Sequence, residues 1–124
     1  MARSFFAIKR SLIRSHLVVK LTGWFFAHMN DLLPVDRLTE NTSWIAFHHP
    51  ESSYPLHILL VPKRAITDLT ELGAGDSALL TELVEIVQRL IIQFDLQKRG
   101  YRLITNGGPY QSIPQLHFHL ISEK

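Results

Sequence analysis

Gln115-Leu116-His117-Phe118-His119-Leu120-Ile121 is the stretch of sequence that decides the fold. Polar and apolar residues alternate along it, and the side chains of a β-strand point to opposite faces in turn. We therefore predict a strand over residues 115–122 in which Gln115, His117 and His119 share one face and the intervening apolar residues face the core. Two histidines at this spacing lie about 6.6–7 Å apart at Cα, so both can act on one small group.

The histidine pair is open to three interpretations: an exposed strand face without function, a metal site or a catalytic site. His-x-His is a known zinc-ligand pattern. The chain has no cysteine, however, and no nearby carboxylate completes a tetrahedral ligand set. The upstream loop instead carries Asn106, Gly107, Gly108 and Ser112, whose N–H and O–H groups suit a tetrahedral anion. The sequence therefore favours an anion site that contains no metal.

The segments before this strand predict an α+β fold. Aromatic and β-branched residues bounded by turn-forming residues are typical of strands. Four further stretches meet that description: residues 35–38, 43–48, 57–61 and 101–105. The order of the elements predicts a mostly antiparallel sheet of about five strands joined by one long helix.

Two helices are predicted between the third and fourth strands. A short one begins at Thr67 or Asp68, and a long one has Asp76 or Ser77 as its N-cap. The apolar residues of the long helix recur at helical spacing and predict one buried face. That face comprises Leu79, Leu80, Leu83, Val84, Val87, Leu90 and Ile91.

Length and composition limit the class of protein. The chain has 124 residues, of which 46% are hydrophobic and 19% charged, so it forms a single domain with a real core. The absence of cysteine excludes a disulfide scaffold. The net charge is +2, but residues 1–30 carry five basic residues and no acid, so the remainder is mildly acidic. The sequence therefore does not indicate a nucleic-acid-binding protein.

The basic N-terminal arm, residues 1–33, is predicted to contain a helix over residues 12–33 that Pro34 ends. Its apolar stripe runs from Leu17 to Leu32, but charged residues and histidines interrupt it, so we do not expect a transmembrane span. The sequence leaves three roles open for this helix. It could pack on the domain or on a partner subunit, it could lie at a membrane surface through Trp24 and its basic residues, or it could belong to a transit peptide.

Three segments together resemble the histidine triad (HIT) family, in the Hint-like or protein-kinase-C-interacting-protein-like branch. They are the strand from His57 through Pro62-Lys63-Arg64, the segment from Gly100 to Gly108, and the motif from Gln115 to Ile121. The resemblance implies a HIT-like domain over residues 34–124, with the arm outside it. It also implies an enzyme of nucleotide chemistry that needs no cofactor.

The resemblance assigns roles by position. It implies that His117 is the nucleophile that attacks the α-phosphorus of a nucleotide, with His119 near the phosphate and His57 as an additional catalytic histidine. Asn106 and Ser112 match phosphate or leaving-group contacts. The chain departs from the family at two positions: Gln115 replaces the first motif histidine, and His49 stands where relatives place an aspartate that binds ribose.

The implied activity is that of a nucleotide phosphoramidase, or a nucleotidyl hydrolase or transferase, acting on a purine nucleotide or its conjugate. The mechanism would pass through a covalent nucleotidyl-His117. His119 and His57, if protonated, would stabilise the developing charge together with the N–H groups near Gly107-Gly108 and with Ser112, and a backbone carbonyl would hold the second nitrogen of His117. A cytoplasmic homodimer is the expected state. The alternatives are a non-catalytic nucleotide-binding or scaffolding protein, favoured by Gln115 and His49, and a peripheral membrane adaptor.

Overall fold

The computed structural model describes residues 37–124. The predictions for the N-terminal arm and its helix, and for the first two residues of the predicted strand over residues 35–38, lie outside these residues. Within residues 37–124, no helix is long and apolar enough to cross a membrane.

In the described part of the chain, residues 37–124, five antiparallel strands form one sheet with the order β1-β2-β3-β5-β4, which confirms the predicted α+β architecture. The strands are β1 (Arg37–Glu40), β2 (Trp44–His48), β3 (Leu56–Pro62), β4 (Arg102–Ile104) and β5 (Phe118–Ser122). Glu40 pairs with Ile45, so β1 extends two residues beyond the predicted strand over residues 35–38. The turn itself is closed by Asn41, whose side-chain oxygen accepts the backbone N–H groups of Ser43 and Trp44.

The predicted start of the last strand at Gln115 is wrong, because β5 begins at Phe118. Pro114 has no N–H to give to a sheet ladder. The backbone N–H of Leu116 instead donates to the carbonyl of Ile66 at 2.7 Å, outside the sheet. The hydroxyl of Thr105 donates to the carbonyl of His117 at 2.8 Å, so a side chain takes the place of a ladder bond there.

A long helix, α1 (Ser77–Gln93), packs on one face of the sheet, and a short helix, α2 (Leu96–Arg99), follows it. The short helix predicted near Thr67 is a 3₁₀ turn over Leu69–Glu71, capped by the side chain of Asp68. The predicted apolar face of α1 needs correction. Leu80 and Val84 are exposed, and the buried residues are Leu79, Leu83, Ile86, Val87 and Leu90.

This correction follows from helical geometry. At 3.6 residues per turn the buried residues of α1 form one narrow stripe, and Leu80 and Val84 lie to the side of it. The stripe covers the sheet face that carries Trp44, Ile58, Leu60 and Leu120, all fully buried. The helix α1 therefore occupies one face of the sheet. The histidines extend from β3 and from the region of β5.

Candidate active site

His57 and His119 form a hydrogen-bonded pair across neighbouring strands. The antiparallel register of β3 and β5 sets His57 opposite Ile121 and His119 opposite Leu59, so the two histidines are diagonal neighbours. Their rings meet through Nε2 of His57 and Nδ1 of His119, 2.8 Å apart. One of these nitrogens must donate and the other accept, because a neutral imidazole has a single N–H.

His117 lies just before β5 and is buried. Its Nδ1 lies 2.8 Å from the carbonyl oxygen of Gln115. Since a carbonyl only accepts, Nδ1 carries the proton and Nε2 of the neutral ring carries a lone pair. The ring meets that of His119 edge-on, with centroids 4.9 Å apart. The sequence-based expectation that a backbone carbonyl holds the second nitrogen of His117 agrees with this geometry.

His49 adds a fourth ring to the group. Its backbone N–H donates to the carbonyl of His57 at 2.8 Å, and its ring stacks on that of His57 with centroids 4.4 Å apart. The backbone N–H of Glu51 donates to Nδ1 of His49 at 3.0 Å, so the proton of a neutral His49 ring is on Nε2. The four rings thus run in the order His49, His57, His119 and His117; we call them the histidine row.

Burial keeps the histidine row neutral at pH 7. Loss of solvation, reinforced by the neighbouring imidazoles, lowers the pKa of His57 and of His119 to about 4. Burial also lowers the pKa of His117, and the hydrogen bond to the Gln115 carbonyl opposes this only in part. The pKa of His49 is lowered by burial as well. A neutral imidazole has the lone pair that a nucleophile needs.

The depressed pKa values predict that the fold weakens in mild acid. Between about pH 4 and 6.5 the unfolded chain binds more protons at His57 and His119 than the folded one does. The free energy of unfolding should therefore be fully retained above pH 6.5 and fall as the pH drops toward 4. Both rings keep some solvent contact, so screening reduces the loss to about 1 kcal/mol for each. Urea unfolding at pH 7.0 and 4.5 measures it.

The matched variants for this measurement are His119→Gln and His48→Gln. His48 is exposed at the end of β2 and its ring contacts Phe94 rather than the histidine row. We expect the pH dependence of the unfolding free energy to be smaller in His119→Gln and unchanged in His48→Gln. Equal pH dependence in the wild type and in His119→Gln would contradict the assignment of the shift to His119.

The remaining predicted site residues lie outside the histidine row. Gln115 is buried, and its amide donates to the carbonyl of Leu116 at 3.3 Å. Asn106, Gly107, Gly108 and Ser112 are exposed in the loop that joins β4 to β5. Gly108 has φ +58°, a conformation that favours glycine. The loop leaves β4 next to Thr105, whose hydroxyl bonds the carbonyl of His117, so its first residue lies close to the site.

His119 presents a polar atom that lacks a partner. Its Nε2 is buried and makes no hydrogen bond to the residues that the structure describes. Such a group costs free energy unless a ligand or water satisfies it, so its position indicates where a polar ligand binds. Over residues 37–124, no three or more His, Cys, Asp or Glu side chains are arranged to hold a metal ion.

Comparison with known proteins identifies the fold and the family together. The family model for the HIT domain matches residues 32–124. The chain belongs to the HIT family. An uncharacterized HIT-like protein of Synechococcus elongatus is 36% identical to this HIT protein over 91 residues, which cover 72% of the chain and 79% of the relative.

Solved structures agree with this assignment. A HIT family hydrolase from Legionella pneumophila superposes with a TM-score of 0.70 at 25% identity, covering 80% of this HIT protein and 91% of its own chain. A histidine triad protein from Clostridium difficile gives a TM-score of 0.70 at 23% identity, covering 81% and 90% of the two chains, and shows the shared fold.

Sequence reasoning missed two contacts that support the histidines of this HIT protein. The hydroxyl of Ser52 lies 2.6 Å from Nδ1 of His57, and the hydroxyl of Thr105 bonds the backbone of His117. A serine in a Pro-rich loop and a threonine at a strand end carry no motif of their own. The fold of the loop before β3 brings Ser52 to His57, and the pairing of β4 with β5 brings Thr105 to His117.

Proposed function

We propose that this HIT protein is a nucleotide phosphoramidase, or a related nucleotidyl hydrolase or transferase, that acts at the α-phosphate through a covalent nucleotidyl-His117. One observation carries the proposal: the Gln115 carbonyl fixes the proton of His117 on Nδ1, which directs a lone pair to Nε2 of a buried ring. The chain's 25% identity to HIT family hydrolases from Legionella pneumophila and Clostridium thermocellum supports a hydrolytic role.

The reaction that we propose has two steps. In the first, Nε2 of His117 forms a bond to the α-phosphorus, the bond to the leaving group breaks, and Nε2–H of His119 gives its proton to the leaving group. In the second, water attacks the same phosphorus, His119 takes back a proton, and the bond to His117 breaks. Burial lowers the pKa of His119 to about 4, so the free ring is neutral at pH 7. The proton that it gives up is replaced at its Nδ1 through His57, whose Nε2 lies 2.8 Å away.

The exposed loop completes the proposed site. We assign phosphate and leaving-group contacts to Asn106, Gly107, Gly108 and Ser112, and a contact to the nucleoside to His49. The position of the loop beside Thr105 supports this assignment, since Thr105 bonds the backbone of the proposed nucleophile. His49 cannot accept ribose hydroxyls as an aspartate does, because its Nδ1 already accepts the N–H of Glu51.

Several expectations about the wider context remain proposals. A purine nucleotide or nucleotide conjugate is the proposed substrate, and the similarity in fold to a histidine triad nucleotide-binding protein from Candida albicans is consistent with it. The homodimer, the cytoplasmic location and the membrane-surface role of residues 12–33 stay predictions. The exposed pair Leu80 and Val84 on α1 supports pairing of two copies.

The stereochemistry at phosphorus tests the mechanism. Hydrolysis of an adenosine phosphoramidate that is chiral at phosphorus, carried out in isotopically labelled water, should proceed with retention of configuration, because two displacements each invert the centre. Brief incubation followed by alkaline quenching should also leave a nucleoside monophosphate on the peptide that contains His117. Inversion of configuration, or a label on another residue, would rule out the covalent His117 route.

A non-catalytic nucleotide-binding protein is the second candidate. Gln115 favours it, because its amide bonds the backbone of Leu116 and supplies no ionisable ring to the site. Calorimetric binding of adenosine monophosphate, without turnover of phosphoramidates, dinucleoside polyphosphates or acyl nucleotides, would establish this candidate and exclude the enzyme.

A further inference from the structure

Ser52 forms a hydrogen bond with His57, the second ring of the histidine row. Its Oγ lies 2.6 Å from Nδ1 of His57 and also accepts the backbone N–H of Tyr54 at 3.1 Å. The ring of Tyr54 meets His57 edge-on, with centroids 5.6 Å apart. The backbone N–H of Tyr54 therefore holds Oγ of Ser52 at Nδ1 of His57, the nitrogen that points away from His119, and the Tyr54 ring contacts the same histidine.

These contacts make a continuous chain of hydrogen bonds. It runs from Oγ of Ser52 to Nδ1 of His57, through the ring to Nε2, across 2.8 Å to Nδ1 of His119, and through that ring to the buried Nε2. Each neutral imidazole has one N–H and one lone pair. The protons in the chain can therefore point only one way at a time, all toward the site or all toward Ser52.

The second contact of Ser52 sets the direction of the protons. Its Oγ already accepts the backbone N–H of Tyr54 at 3.1 Å, and a hydroxyl that accepts one hydrogen bond is a better donor of its own O–H. The O–H of Ser52 is therefore assigned as the donor to His57, and Nδ1 of His57 accepts. Nε2–H of His57 then donates to His119, which places the remaining proton on Nε2 of His119.

We infer that Ser52 is a positioning residue: its hydroxyl sets the tautomers of His57 and His119 and forms the solvent end of a proton relay to Nε2 of His119. Ser52 is exposed, whereas Nε2 of His119 is buried, so the relay joins water to the interior of the site. The part of this inference that concerns turnover rests on the proposed function. The part that concerns tautomers does not.

The number of protons that the relay takes from solvent equals the number that it returns over the two proposed steps. When His119 gives its Nε2 proton to the leaving group, its Nδ1 takes the proton of His57, Nδ1 of His57 takes the proton of Ser52, and Oγ of Ser52 takes one from solvent. All protons now point outward, and Nε2 of His119 carries a lone pair. When water attacks, that lone pair takes a proton from water, and each transfer runs in reverse to return one proton to solvent.

The test combines nuclear magnetic resonance with kinetics on the full chain. Long-range ¹H–¹⁵N spectra of the histidine rings distinguish a protonated from an unprotonated ring nitrogen. In the wild type and in Ser52→Thr, which keeps the hydroxyl, His57 and His119 should both carry the proton on Nε2. In Ser52→Ala the population protonated on Nδ1 should rise several-fold. Ser53→Ala, at the exposed neighbouring position, should match the wild type.

Turnover provides the second readout. We expect kcat to fall roughly tenfold in Ser52→Ala with KM nearly unchanged, and to recover in Ser52→Thr. Tautomers that are the same in the wild type and in Ser52→Ala would overturn the inference. A protein whose tautomers respond to Ser52 but which turns over no nucleotide would retain the tautomer assignment and refute the proposed function, so the two failures are distinguishable.

Discussion

In a His117→Ala variant, hydrolysis of adenosine phosphoramidate is expected to slow by about 10³-fold or more, because the nucleophile is gone. His119 and His57 form their hydrogen bond to each other and not through His117, so they stay in place. The loss should therefore appear in kcat rather than in substrate binding. Steady-state kinetics, with calorimetric titration of adenosine monophosphate into the variant, separates the two effects.

A matched variant distinguishes lost chemistry from lost structure. In His117→Asn the side-chain amide can still donate to the Gln115 carbonyl, which now accepts from Nδ1 of His117 at 2.8 Å, but no ring nitrogen remains to attack phosphorus. We expect this variant to be as inactive as His117→Ala while unfolding near the wild-type midpoint. His48→Ala, outside the histidine row, should retain full activity. Near wild-type turnover in His117→Asn would refute the nucleophile assignment.

The sequence predicts the sheet, the long helix and the family from patterns that are local. Alternation over residues 115–121 places Leu116 and Leu120 in the core, and both are buried there. The same rule fails for Gln115, because alternation applies only where the backbone is in the ladder, and β5 begins at Phe118. Pro114 and the Thr105 hydroxyl determine where β5 begins. The bond from Thr105 to His117 joins residues that are distant in the sequence, so local alternation does not reveal it.

The electrostatics of the site depend on contacts that no spacing reveals. His49 follows a strand end and gives no sign in the sequence that its ring stacks on His57, eight residues later. The position of the ring follows from the backbone bond between the two residues, which closes the loop. Burial then keeps the four imidazoles of the histidine row neutral, and for His57 and His119 the neighbouring rings add to this effect. With pKa values lowered to about 4, His57 and His119 are neutral near pH 7, a state that the sequence alone does not reveal.

The largest effect on stability is expected from Trp44→Ala. Trp44 is fully buried in β2, and its indole N–H donates to the carbonyl of Leu79 on α1 at 2.8 Å. Removing the ring leaves a cavity between the sheet and the helix and breaks this bond. We expect a loss of about 3–5 kcal/mol in the free energy of unfolding, measured by urea titration at pH 7. A loss below about 1 kcal/mol would show that the core closes around the cavity.

The same ring connects the core to the histidines. Trp44 meets Phe118 edge-on, with ring centroids 5.8 Å apart, and Phe118 separates His117 from His119 in the chain. In Trp44→Phe an aromatic contact with Phe118 can persist, whereas the hydrogen bond to Leu79 cannot. We expect that variant to lose about 1–2 kcal/mol and to keep the wild-type ring spectra of His117 and His119. Trp44→Ala should shift those spectra at temperatures where the chain is still folded, because Phe118 then loses the surface that holds it.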